Sequence, residues 1–250
     1  MGPAEAVAIF AAGGAAGTIN TIVGSGTLLT FPVLIGFGYQ PVTANVSNTI
    51  GLVPGSVSGA IGYRAELEGQ GRRAAVLGIP SLVGGITGAI LLLTLPASAF
   101  KSIVPGFIAA ALVLVVLQPW LARKLAGHHE HLLNARGVLP LCLFVVGVYG
   151  GYFGAAQGIL ILALLGMALP DPLQRINALK NVLAGLTNAI AGVVFLIAAS
   201  HVSWTVAGLL AVGSTLGGQL GARVGRRLPA PVLRGLIVAV GTAAILKLVL

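Results

Sequence analysis

Apolar residues fill this chain in long runs rather than in stripes. The runs cover 6–22, 26–38, 41–63, 74–95 and 99–118 and, after a polar stretch at 119–136, 137–153, 158–169, 172–199, 203–222 and 232–250. Several approach the roughly 20 residues that an α-helix needs to cross the hydrocarbon core of a bilayer. Prolines at 41, 96, 119, 170, 172, 229 and 231 lie at or near run ends, where a residue without an amide proton does least harm. The pattern predicts an all-α polytopic membrane protein. Two runs are short. A helix over 26–38 reaches about 20 Å against a core of about 30 Å, so 26–38 and 158–169 are expected to be return arms of re-entrant hairpins.

Each short run follows a polar interruption. The first is Ile19-Asn20-Thr21-Ile22-Val23-Gly24-Ser25-Gly26-Thr27, inside the apolar stretch from Ala6 to Phe37; the second is Tyr149-Gly150-Gly151-Tyr152-Phe153-Gly154-Ala155-Ala156-Gln157-Gly158. Each glycine weakens a helix by about 1 kcal/mol relative to alanine. Irregular polar backbone survives at membrane depth only when it is buried in protein or lines an aqueous cavity. Asn20, Gly24, Ser25, Gly26 and Thr27 from the first break, and Gln157 and Gly158 from the second, are therefore candidate solute-binding residues.

The chain repeats. Shifted so that Gly84-Gly85-Ile86-Thr87-Gly88-Ala89 lies on Gly217-Gly218-Gln219-Leu220-Gly221-Ala222, it also places Leu95-Pro96 on Leu228-Pro229, Gly59 on Gly192 and Asn48 on Asn181. A one-residue slip pairs Gly26 with Gly158 and Asn45 with Asn177. Loop 64–73 carries Arg64, Arg72 and Arg73 where its repeat mate has only His201, and 223–231 carries Arg223, Arg226 and Arg227 where its mate has only the nearby Lys101. Inverted repeats put 64–73, 119–136, 169–175 and 223–231 all on the cytoplasmic side, as the positive-inside rule asks, with both termini outside. The expected organisation is a first repeat over 1–118 (hairpin 5–38, helices 41–63, 74–95 and 99–118) and a cytoplasmic linker over 119–136. A second repeat follows over 137–250 (hairpin 137–169, helices 172–199, 203–226 and 230–250). Hairpins entering from opposite faces meet near the midplane, where secondary transporters bind their solutes.

Composition narrows the chemistry. With 57% hydrophobic and 8% charged residues, against about 25% charged in soluble domains, the net charge of +9 reads as cytoplasmic loops and not as a nucleic-acid surface. Cys142 is single, so there is no disulfide framework or cysteine metal site. His128, His129 and His131 lie in the polar linker and read as solvated. All five acidic residues sit in loops or at segment ends, and no catalytic, cofactor or nucleotide-binding motif is present; the chain reads as neither an enzyme nor an ATP-driven pump. What remains is a polar stripe beside each break: Asn45, Asn48 and Thr49 in the first half, Asn177, Lys180 and Asn181 in the second. Asn177 and Asn181 are four apart and share a helix face. A lysine inside a membrane helix marks function by default, although Lys180 lies close enough to Pro172 to snorkel toward the cytoplasmic face. Amides, hydroxyls and one cation without a carboxylate suit a small anion.

The Gly17–Pro32 block, the Ala44–Thr49 stripe, Tyr149–Gly158 and Arg175-Ile-Asn-Ala-Leu-Lys-Asn181 together resemble the TauE/SafE family of sulfite exporters. The resemblance covers nearly the whole chain and implies movement of sulfite, thiosulfate or an organosulfonate across a bacterial inner membrane. This chain departs from the family pattern at Ser25, where many relatives have a third glycine, and at Gln157. The expected function is a secondary permease with an alternating-access site at the meeting hairpins. The alternatives are an anion channel and a non-transporting membrane subunit. The expected partners are a small sulfur-containing anion and the bilayer, with a homodimer as an option.

Overall fold

The computed structural model describes residues 1–125, 138–224 and 242, and every regular element among them is an α-helix. In order these are α1 (Pro3–Ile22), α2 (Thr27–Gly36), α3 (Pro41–Gly62), α4 (Gly71–Thr94), α5 (Ala97–Leu125), α6 (Val138–Tyr152), α7 (Gln157–Ala168), α8 (Leu173–Ala198) and α9 (Trp204–Val224). The ends follow the run limits closely except in α5, which continues past 118 to Leu125. The rest of the expected linker and, apart from Thr242, the expected last helix at 230–250 lie outside the described residues.

The burial pattern is that of a protein dissolved in lipid. Large apolar side chains face outward, among them Ile79 on α4, Ile197 on α8 and Leu216 on α9. Asn45, Ser47, Asn48, Asn177, Lys180 and Asn181 are buried instead. In water that arrangement would be inside out; in a bilayer it puts the polar groups where other protein groups can bond them. α1, α4, Ala97–Leu117 of α5, and α8 are long and apolar enough to cross a membrane. The protein is a multi-pass membrane protein.

Small residues set how closely the helices approach. α1 packs against α9 and, in the corresponding place, α6 packs against α4. A methyl on Gly217 would strike the Gly14 carbonyl, and one on Gly84 would strike the Phe144 carbonyl. Backbone thus meets backbone at both contacts. Thr18 exploits the proximity by donating its hydroxyl to the Gly217 carbonyl at 3.0 Å. Gly88→Ala, whose methyl would collide with the Val148 carbonyl, is expected to destabilise by about 1–3 kcal/mol. Gly208→Ala has open space around it and should be neutral or stabilising by about 0.5–1 kcal/mol. Thermal unfolding of the two variants in detergent checks the contrast.

Both short helices fold back along their predecessors. α2 has 10 residues, about 15 Å, and returns the chain so that the Tyr39 hydroxyl donates to Glu5 at the start of α1, at 2.9 Å. α7 returns along α6, so that Leu139 and Leu143 share a core with Leu165, Ala168 and Leu169. Phe31 of α2, Phe100 and Phe107 of α5, and Tyr149, Tyr152 and Phe153 around the end of α6 form one aromatic cluster, mostly edge to face. That cluster wedges both hairpins against α5.

One end of the bundle collects the basic loops. The Arg175 guanidinium donates to the Glu68 carbonyl at 2.9 Å, and the Gln70 amide donates to the Arg175 carbonyl at 3.1 Å. Asp171 pairs with Arg73 and, at 3.7 Å, with Arg175. Arg64 and Arg223 line one cavity of about 460 Å³ at the same end. Loops 64–73 and 169–175 and the end of α9 therefore share a face.

Candidate functional site

Two turns meet in the middle of the bundle, and each is built the same way. After α1, Val23 and Gly24 both donate to the Ile19 carbonyl; after α6, Phe153 and Gly154 both donate to the Tyr149 carbonyl. The residue that turns the chain has φ of +86° at Gly24 and +75° at Gly154, a conformation that glycine adopts without a steric penalty. The turn at Gly24 thus has the geometry of the turn at Gly154, and Gly26 precedes α2 as Ala156 precedes α7. Matching the two turns by their positive φ pairs different residues from the Gly26–Gly158 pairing drawn from sequence. Ala156 itself sits at φ +60°, a conformation that costs a non-glycine residue about 1–3 kcal/mol.

The tips touch. The Gly158 N–H donates to the Gly24 carbonyl at 3.0 Å, and neither glycine has room for a methyl because each would strike the other's Cα. On the residues of the tips and of the stripes that hold them, several buried polar atoms have no hydrogen-bond partner: Ser25 Oγ, Gln157 Nε2, Tyr152 OH, Asn45 Oδ1 and Asn177 Oδ1. A buried polar group left unpaired costs about 1–3 kcal/mol, and native structures hold few of them.

The two polar stripes cross over. Asn45 of the first half donates to the Tyr152 carbonyl, at the end of α6, at 2.9 Å. Asn177 and Asn181 of the second half donate to the Thr21 carbonyl, at the end of α1, at 3.3 and 3.2 Å. Lys180, fully buried, donates to the Asn20 carbonyl at 3.0 Å and the Thr21 carbonyl at 3.4 Å. Each stripe thus satisfies the free carbonyls of the other half's broken helix, which a helix end inside a membrane cannot leave bare. A cation at a helix C-terminus also opposes the negative end of the helix dipole. Lys180 therefore does not snorkel toward the basic end. An ammonium carries three donors, and two are used here.

Asn48 holds its own half's α2, accepting from Thr30 at 2.5 Å and donating to Thr27 at 3.4 Å. Thr49 is buried on α3 but makes no hydrogen bond to either tip. Asn20 contributes its carbonyl, and its side chain is half-buried. Of the residues singled out from the sequence, Gly24, Ser25, Gly26, Gln157 and Gly158 form the tips, and Asn45, Asn177, Lys180 and Asn181 hold them from behind.

The profile of the family described as sulfite exporter TauE/SafE matches residues 9–248. The chain belongs to the TauE/SafE family. Curated relatives align with it over most of their own length. "Probable membrane transporter protein YfcA" of Escherichia coli (strain K12) is 28% identical over 93% of this chain and 85% of its own. "Probable membrane transporter protein ORF9" of Sinorhizobium sp is 26% identical over 96% and 90%. A "Probable membrane transporter protein" of Haemophilus influenzae is 24% identical over 86% and 83%. No solved structure matches.

For this TauE/SafE protein the geometry adds residues that reading the sequence missed. Tyr152, buried with a free hydroxyl, lies at the second tip, and Tyr149 donates to the Ala155 carbonyl across the same turn at 2.5 Å. Both stand inside the second polar break, and a tyrosine within a membrane interruption, unlike one at a segment end, was the available signal. Thr21 and Thr30 join the network through groups that composition does not flag: a backbone carbonyl and a hydroxyl facing Asn48.

Proposed function

We propose that this protein is a secondary permease for a small sulfur-containing oxyanion, built from two inverted repeats whose re-entrant hairpins carry the binding site at their tips. The observation that carries the reading is the group of unpartnered buried polar atoms on the residues of the two hairpin tips and the helix ends that lead into them, among them the Ser25 and Tyr152 hydroxyls and the Gln157 amide. These can donate to an oxyanion, and Lys180 adds a positive charge behind them. The matched helix pairs, matched turns and crossed stripes support inversion. The clustering of basic loops at one end supports a cytoplasmic assignment of that end and insertion in the bacterial inner membrane.

In the closed arrangement the tips are in backbone contact, which favours alternating access over an open channel: the anion passes only when one half moves against the other. No carboxylate among the described residues lies beside the tips to relay a proton, so any coupled proton travels with the substrate or through water.

A thermal-shift panel of sulfite, thiosulfate, sulfoacetate and sulfate, followed by counterflow of the ³⁵S-labelled anion into proteoliposomes preloaded with the unlabelled one, tests the reading whichever direction the protein works in. The expected result is stabilisation by at least one sulfur oxyanion and saturable exchange of that same anion. Absence of both would leave a non-transporting membrane subunit as the better account.

A further inference from the structure

We propose that a cavity at the end of the bundle opposite the basic loops is a second oxyanion site, a vestibule that gathers the anion before it reaches the hairpin tips. The proposal rests on the transport reading above and extends it to a separate set of residues.

The cavity has a volume of about 770 Å³ and lies where α3, α5 and α9 begin and α4 and α8 end. Among the described side chains, Lys101 and His201 are the only basic ones at this end, and both line it. Lys101 has no ion-pair partner among the described residues, and no carboxylate belongs to the lining. Glu5, bonded to the lining residue Tyr39, accepts from the Tyr39 hydroxyl and the Gly2 N–H.

The backbone points the same way. α3 opens at Pro41 with no side chain capping its first turn, so the Val42 and Thr43 amides, both of cavity-lining residues, are left without intrahelical acceptors. α5 begins at Ala97 and α9 directly after Ser203, and these two residues also line the cavity. Three helix N-termini, each the positive end of a dipole, thus reach one space. The ends of α4 and α8 contribute the apolar wall of Leu92, Leu95 and Ala199. Thr43, Ser200 and the His201 ring supply the hydrogen-bonding complement that an oxyanion needs.

The cavity also connects to the transport site through one helix. Thr43 and Val46 line it, and Asn45 and Asn48 stand within two residues of them on the same α3. Ser203, which lines the cavity, is tied to the same helix: its N–H donates to the buried Ser47 hydroxyl at 2.9 Å. An anion held by Lys101 and His201 waits beside that hydrogen bond.

The test is counterflow of ³⁵S-labelled sulfite and thiosulfate into proteoliposomes in which the basic loops face the lumen, comparing wild type with a double variant, Lys101→Gln with His201→Gln. Both positions are exposed, so the double variant should fold, and Lys101→Gln alone reads the same effect at smaller size. The expected result is a half-saturating concentration raised at least fivefold with the maximal rate within about twofold of wild type. Weaker dependence on ionic strength should accompany it, since a screened exposed charge has been removed. Arg72→Gln, an exposed charge removed from the other end, should change neither. An unchanged half-saturation in the double variant, with wild type transporting normally, overturns the vestibule alone. Wild type that exchanges neither anion overturns the transport reading and the vestibule with it.

Discussion

Lys180→Met is expected to abolish anion exchange, and Lys180→Gln is expected to do the same while unfolding close to the wild-type temperature. The pair separates the job that the structure shows for this side chain from the one that the proposed function adds. Lys180 caps the end of α1 through the Asn20 and Thr21 carbonyls, and it places a positive charge behind the hairpin tips. Glutamine can still donate to those carbonyls but carries no charge; methionine does neither. For methionine, two charge-assisted hydrogen bonds worth about 1.5–3 kcal/mol each are lost, while the desolvation penalty of a buried ammonium, several kcal/mol, is removed. These terms oppose each other, so thermal unfolding should shift modestly and transport should report the charge. Counterflow by Lys180→Gln at the wild-type rate would reduce Lys180 to a helix cap and remove it from the binding site.

Gly158→Ala and Gly24→Ala are each expected to lower exchange at least tenfold, for reasons that differ in a measurable way. In both, the new methyl collides with the opposite tip's Cα, and the hydrogen bond from Gly158 to Gly24 cannot keep its 3.0 Å length. Gly24→Ala carries a second penalty, because at φ +86° an alanine is strained by roughly 1–2 kcal/mol. Gly24→Ala should therefore unfold at a lower temperature than Gly158→Ala, with transport lost in both. Wild-type exchange by Gly158→Ala would mean that contact between the tips is not part of the cycle.

Much of this architecture can be read from the chain because membrane helices declare themselves locally. The run over 26–38 is too short to span, and α2 has 10 residues. Gly24 interrupts an apolar stretch, and it is where the backbone turns to positive φ. What stayed hidden depends on distant contacts. Whether Lys180 snorkels or is buried is decided by the end of α1 lying beside α8, which no pattern within 172–199 reveals. The crossed stripes, with Asn45 on Tyr152 and Asn177 on Thr21, need both hairpins in place before either partner is defined. Apolar content also ended the helix at 118, whereas hydrogen bonding carries α5 to Leu125, because a helix need not stop where the hydrocarbon does. Lys101 and His201 looked like leftovers of the charge count, and only the fold places them around one cavity.

The central claim is that the hairpin tips part to admit a sulfur oxyanion between them. Alkylation of a single thiol at the first tip addresses it most directly: Ser25→Cys in a Cys142→Ala background, reconstituted and exposed to a membrane-impermeant methanethiosulfonate. Ser25 is 1% exposed with the tips closed, so reaction requires opening. The account predicts steady modification that stops transport and is slowed by the anion that the protein exchanges. A thiol that never reacts, or one that reacts at the same rate whether or not that anion is present, would contradict it.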